Sequence, residues 1–245
     1  MLIDTHCHLL DEPLCTDVGG VLSRAAAAGV ASMVVPTVSS GEWARLAPLE
    51  NLAGIHTACG VHPWKAGEGV DEPLLKSFLG NSVAVGEIGL DWKVGVSRAC
   101  QLDCFETQLG IAVELNLPVL LHCRGAFDEL LELIRFKPPP GAVLHGFSRS
   151  PDLMRRFLDA GCCIGFGGAI TRERAASARA CARVVPEDRY VLETDSPWIG
   201  VKGGPSEPSS LRLVASSMAF LRGVAPEQVH RVSSENAVRV LALQR

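Results

Sequence analysis

Two histidines alternate with a cysteine in the stretch LIDTHCHLL, residues 2–10. Leu2 and Ile3 lead into Asp4, so the segment reads as a strand that ends in His6 and His8. Residues two apart on a strand point to the same face. His6 and His8 therefore aim two imidazoles at one point, which suits a metal ion or an acid/base pair. Cys7, between them, points to the opposite face and reads as a small packed hydrophobe, as does Cys123 beside His122.

Other ionisable residues also close apolar runs. His62 stands in CGVHPW, Glu87 in VAVGEIGLDW, His122 in PVLLHCR, His145 in AVLHGF and Asp195 in YVLETDSPW. Of the seven histidines, only His56 and His230 fall elsewhere. A single histidine at a strand end is most often a hydrogen-bonded cap, and Asp195 by itself fits a cap for the turn at Ser196-Pro197. A carboxylate such as Glu87 at the end of an apolar strand is costly unless it is paired or metal-bound. Taken jointly, the set points to a metal site.

The elements that must position these residues are short apolar runs separated by amphipathic stretches. Strands are expected at 2–6, 31–36, 55–61, 83–86, 119–122, 142–145, 162–165 and 190–193. Their near-continuous apolar character is that of parallel strands buried on both faces. Helices are expected at 18–28, 41–52, 71–79, 98–115, 126–135, 151–160, 172–184, 207–221 and 226–243. Gly29 is a stop signal for the first helix, and Pro226 and Glu227 suit the first turn of the last. KPPPG, residues 137–141, is a stiff connection, and residues 200–210 read as a flexible loop.

Eight strands, each followed by a helix, predict an α/β fold with right-handed crossovers. In 245 residues that favours a closed (β/α)8 TIM barrel as one domain over residues 1–245. The alternative is an open doubly wound sheet, which loses ground because no Gly-x-Gly-x-x-Gly motif follows the first strand. In a barrel, the carboxyl ends of the strands form one catalytic rim, where residues from different strands converge.

Composition is that of a globular chain, 47% hydrophobic and 20% charged. The net charge of −4 gives no global steering toward nucleic acid. Nine cysteines without a tight framework read as reduced thiols in a cytoplasmic protein. The N-terminal stretch does not read as a signal peptide, and no apolar run reaches membrane-spanning length, so neither a membrane nor an obligate protein partner is expected.

Imidazole nitrogen with carboxylate oxygen suits hard-to-borderline divalent ions, with Mg, Mn and Zn all admitted. Four histidines and two carboxylates exceed one tetrahedral ion and suit two ions about 3.5–4 Å apart, bridged by a carboxylate. Glu87 is the candidate bridge. His6, His8 and Asp195 complete one site, and His122 and His145 the other.

At these residues the chain resembles the TatD family of metal-dependent hydrolases and deoxyribonucleases, within the amidohydrolase-like barrels. The matching stretches are LIDTHCHL, GVHPW, VGEIGLD, PVLLHCRGAFDE, LHGFSRS and LETDSPW, in order from residue 2 to 198. The resemblance implies divalent-metal phosphodiester hydrolysis, ligand roles for His6, His8, Glu87, His122, His145 and Asp195, and substrate contacts by His62 and Arg124. Two positions depart from the family pattern: Leu10 stands where an acidic residue or Asn is usual, and Gly125 follows HCR where many members have Asp. Neither removes a ligand; both bear on substrate contacts at the rim.

The expected chemistry is attack by a metal-activated water, with Asp195 as general base and Arg124, aided by His62 or Arg149, gripping phosphate. Trp64, Trp92 and Trp198 follow rim residues and offer stacking surfaces. The favoured substrate is DNA, cut at strand ends. A small-molecule ester, lactone, amide or phosphoester hydrolase using the same centre is the alternative, and a non-catalytic partner protein is the third reading.

Overall fold

The structure is a computed structural model that describes residues 1–200 and 206–243. Its strands are β1 (Leu2–Asp4), β2 (Val30–Pro36), β3 (Ile55–Cys59), β4 (Ala84–Asp91), β5 (Val119–Arg124), β6 (Ala142–Leu144), β7 (Cys163–Phe166) and β8 (Tyr190–Leu192). The helices are α1 (Val18–Ala27), α2 (Trp43–Glu50), α3 (Glu72–Leu79), α4 (Arg98–Glu114), α5 (Phe127–Phe136), α6 (Pro151–Asp159), α7 (Ala176–Val184), α8 (Leu211–Arg222) and α9 (Pro226–Val240).

Adjacent strands pair in parallel in strict chain order, β1 through β8. The chain beyond β1 closes the ring against β8. Thr5 N–H donates to the Leu192 carbonyl (3.1 Å), Asp195 N–H to His6 (2.9 Å) and His8 N–H to Ser196 (2.7 Å). The result is the expected (β/α)8 TIM barrel.

Side chains divide into two apolar layers. Val34, Ala58, Ala84, Leu120, Val143, Cys163 and Val191, one from each of seven strands, fill the barrel interior, and Ile3 of β1 packs against them. Ala237, Val240, Leu241 and Leu243, at the end of α9 and just beyond it, belong to the same cluster and plug the amino end of the barrel. The alternate strand residues, such as Val35, Val85, Leu121, Leu144 and Leu192, face outward into a larger layer under the helices, with Trp43, Phe105 and Phe157 fully buried there. Burial of each such side chain stabilises the fold by roughly 1.5–3 kcal/mol.

Local signals fix the helix ends. Asp17, Asp71, Ser97 and Ser150 each cap a helix by accepting a backbone N–H from its first turn. Gly29 takes φ +86 just after α1, the left-handed conformation a stop glycine supplies.

Three boundaries differ from the sequence reading by about four residues or more, and smaller shifts include β1, which ends at Asp4 and not at His6. β4 is eight residues long rather than four, because GEIG continues the strand across an irregular register between Val85 and Ile88. Glu87 therefore lies within a strand and not after it. Gly89 permits this: at φ +146, a Cβ there would lie 2.0 Å from the His122 carbonyl oxygen. The seventh helix starts later, at Ala176, after a 3-10 turn at Gly168–Thr171. The eighth starts at Leu211, after a 3-10 turn at Pro208–Ser210. The loop expected at 200–210 falls partly on 201–205, outside the described residues. Among the described residues, no helix is long and apolar enough to cross a membrane.

Candidate metal centre

The interior stack of the barrel turns polar at its carboxyl end. Two residues past Leu120 comes His122, and two past Val143 comes His145, each on the same face as its apolar predecessor. His6 and His8 arrive from the extension of β1, Asp195 from that of β8 and Glu87 from mid-β4. His6, His8 and Glu87 are buried, as is Asp195.

Glu87 lies at the middle of the group, and its two oxygens face different histidines. Oε2 lies 3.1 Å from His6 Nε2 and 3.6 Å from His8 Nε2. Oε1 lies 2.8 Å from His145 Nε2, 3.0 Å from His122 Nδ1 and 3.4 Å from His62 Nε2. Asp195 Oδ1 stands 3.5 Å from His8 Nε2 and 4.0 Å from His6 Nε2. The His6 and His145 rings stack at 4.1 Å.

These spacings fit cation ligands. Two nitrogens bound to one tetrahedral ion at about 2.1 Å lie about 3.4 Å apart. His6 Nε2 and His8 Nε2 are 3.2 Å apart, as are His122 Nδ1 and His145 Nε2. Three groups bring their donor atoms within 4.8 Å of one another: His6, His8 and Glu87; His6, His145 and Asp195; His62, Glu87 and His122. A set of buried imidazoles and carboxylates without a thiolate suits divalent ions of the hard-to-borderline class. His62, expected as a substrate contact, lies inside this cluster.

The electrostatics are those of a site that protons or cations must occupy. Burial alone would raise the Glu87 carboxyl, but His145, His62 and His6 hold it well below the ordinary range. Burial pulls His6 down to about 4. Burial would lower His145 too, yet the Glu87 carboxylate lifts it to about 10. Asp195 sits at φ +51, a left-handed conformation that Asp tolerates better than most residues.

A second ring of polar residues, which the sequence reading missed, supports the first. Asp4 is fully buried and accepts from Thr194 N–H (2.9 Å), Thr194 Oγ1 (2.6 Å) and His6 N–H (3.3 Å). Glu193 accepts from Gly146 N–H, and its Oε1 lies 3.9 Å from His145 Nδ1. Asp91 Oδ2 lies 3.5 Å from His122 Nε2. The sequence signal was available: acids interrupting the apolar runs LID, GLD and LET. Carboxylates behind metal-ligating histidines fix tautomer and ring orientation.

The remaining expected residues lie around this mouth. Arg124, at the end of β5, is exposed, and with Arg149, Ser148 and Phe127 it lines a cavity of about 270 Å³ that also touches His122, His145 and Asp195. Arg149 lies over the Phe127 ring at 5.2 Å. Trp198 is largely exposed and Trp64 about half exposed, whereas Trp92 is partly buried with Arg98 stacked on it at 5.0 Å. Cys7 is buried in the outer apolar layer and Cys123 packs against it. His56 and His230 line a separate cavity among residues of β1, β2, β3 and α9.

Comparison with known proteins agrees with a metal-dependent hydrolase. The family model described as TatD related DNase matches residues 3–242. The uncharacterized metal-dependent hydrolase YcfH of Escherichia coli K12 is 35% identical over 251 residues, covering 98% of this chain and 95% of its own. The 3'-5' ssDNA/RNA exonuclease TatD of a Rahnella species is 31% identical, covering 91% of each chain. The crystal structure of YjjV, a TatD homologue from Escherichia coli, superposes with a TM-score of 0.94 at 33% identity, covering 99% of this chain and 98% of that one. The chain belongs to the TatD-related DNase family.

Proposed function

We propose that this protein is a divalent-metal-dependent phosphodiesterase that acts on DNA, removing nucleotides from strand ends. The observation that carries the reading is the division of Glu87, whose two oxygens each face a separate set of imidazoles. Such a carboxylate suits a pair of cations. His6, His8 and Asp195 would hold one, and His122 and His145 the other, with His62 beside them. Divalent ions held there would lower the pKa of water toward neutrality and draw charge from phosphoryl oxygens.

The chain's own residues supply the rest. Asp195, held low although buried, because His8 hydrogen-bonds it and His145 and His6 lie close, is ready to accept a proton at pH 7. Arg124 and Arg149 can grip phosphate oxygens at the edge of the centre. Glu193 and Asp91 stand behind the His145 and His122 imidazoles, and Asp4 fixes the backbone at His6 and Thr194. The name borne by the Rahnella relative supports a nucleic-acid substrate. Nine cysteines, all free thiols, suit the reducing cytoplasm. No membrane and no obligate protein partner enter this reading.

The test is hydrolysis of single-stranded and duplex DNA with Mg²⁺ or Mn²⁺, beside a panel of small esters and lactones, with EDTA added and then reversed by metal. Metal-dependent release of nucleotides is the expected result. Turnover confined to the small esters would replace DNA as the substrate.

A further inference from the structure

Of the three tryptophans near the mouth, Trp64 is the one built as a platform. It lies in the 3-10 turn Pro63–Glu68, directly after His62. Its indole N–H donates to Asp91 Oδ2 at 3.0 Å. Asp91 is itself fully buried and fixed by Lys93 N–H at 2.8 Å. The ring meets His62 edge-on at 4.6 Å and lies 6.4 Å from His122. Its polar end is therefore anchored below, beside the metal cluster, while 48% of the residue stays exposed.

Trp92 makes the contrast. Its face is covered by Arg98, and its indole nitrogen, buried, has no partner among the described residues. A tryptophan serving as a lid on the core would bury its face in that way. Trp64 instead has its indole nitrogen held by Asp91 and about half of its surface in solvent. Such a rigid aromatic surface stacks bases of any sequence, because every base has a π-face. It reaches only bases that are unpaired and splayed from a partner strand.

We propose that Trp64 is the stacking surface for the nucleobase next to the cleaved phosphodiester, and that Asp91 positions it by tying its indole N–H to the carboxylate that also faces His122. The proposal rests on the phosphodiesterase reading above and adds the residue that holds the neighbouring base. Asp91 is a positioning residue, since it touches His122 and Trp64 and not the reacting atoms.

The experiment uses the metal-loaded protein and two sets of short single-stranded oligonucleotides. One set carries a normal base beside the scissile bond; the other carries an abasic tetrahydrofuran residue there. Wild type is expected to favour the base-bearing substrate in kcat/KM, with the difference in KM. Trp64→Ala should cut that preference by about 5- to 150-fold, and Trp64→Phe should keep most of it. Binding of an uncleavable phosphorothioate oligonucleotide, read by tryptophan fluorescence quenching, should weaken in Trp64→Ala by the same factor. Wild type that hydrolyses both substrates equally overturns the platform and leaves the nuclease reading standing. So does a Trp64→Ala variant with the wild-type preference. Wild type that binds and hydrolyses no oligonucleotide overturns both. The wild-type comparison stands even if a variant fails to fold.

Discussion

At the scale of single residues, the account turns on Glu87 and Asp195. Glu87→Gln keeps the size of the side chain and removes the charge that two sets of histidines share. Turnover is expected to fall about a thousandfold, the effect of losing several kcal/mol of charge stabilisation. Far-UV circular dichroism should stay unchanged, which separates loss of chemistry from loss of fold. Asp195→Asn should reduce kcat by about 10²–10⁴-fold if it is the general base. A wild-type rate in either variant, with metal present, would contradict the two-cation assignment. The sequence made these residues legible because each interrupts an apolar run. It placed His62 at the same rim but not among the donors around Glu87, since a histidine before Pro63 reads equally well as a turn residue.

At the scale of elements, the ends of β3 and β4 are held by a helix. Gln101 and Gln108 stand seven residues apart on the buried face of α4. Gln108 accepts from Val61 N–H at 2.7 Å and donates to the Val61 carbonyl at 3.0 Å. Gln101 does the same for Asp91, at 2.8 and 2.9 Å. The two clamps set the backbone beside His62 and beneath Trp64. Gln101→Ala leaves a buried N–H and carbonyl unpaired, so it should destabilise the protein by about 1–3 kcal/mol in urea denaturation. A smaller loss would mean that water or a neighbour replaces the clamp. Leu120→Ala, in the barrel interior below His122, should cost about 2–5 kcal/mol. Strand and helix order was legible from apolar periodicity. The clamps were not, because a glutamine on a helix reads as solvent-facing until its long-range partner is known. The length of β4 escaped for a related reason: GEIG reads as a strand end, and only the close approach of β5 explains its glycines.

At the scale of the molecule, one mouth collects ionisable groups from six strands, and their charges depend on what fills it. In the metal-free protein His145 is lifted to about 10, above its ordinary 6.5. Its stabilising contribution is complete below pH 6.5 and is lost as pH rises through 10. Burial raises Asp4 to about 7 and Glu193 to about 8. The folded form keeps protons there that the unfolded chain has released, so these groups also make stability fall as pH rises. The metal-free protein should therefore lose stability from pH 6.5 to 9, by about 1.4 kcal/mol per pH unit for each proton held. Bound cations replace those protons and should flatten the slope, as thermal melts with and without EDTA would show. Barrel closure was legible from the count of strand–helix units. The gathering of His6 and Asp195 within 4.0 Å follows from that closure, since β1 and β8 become neighbours only in a ring. The most direct test of the central claim is to count bound divalent ions per chain by elemental analysis while following release of nucleotides from single-stranded DNA in the same samples. The account predicts two ions per chain, with hydrolysis appearing as the second binds and vanishing in EDTA; hydrolysis by a chain that holds no ions, or two bound ions with no hydrolysis, would contradict it.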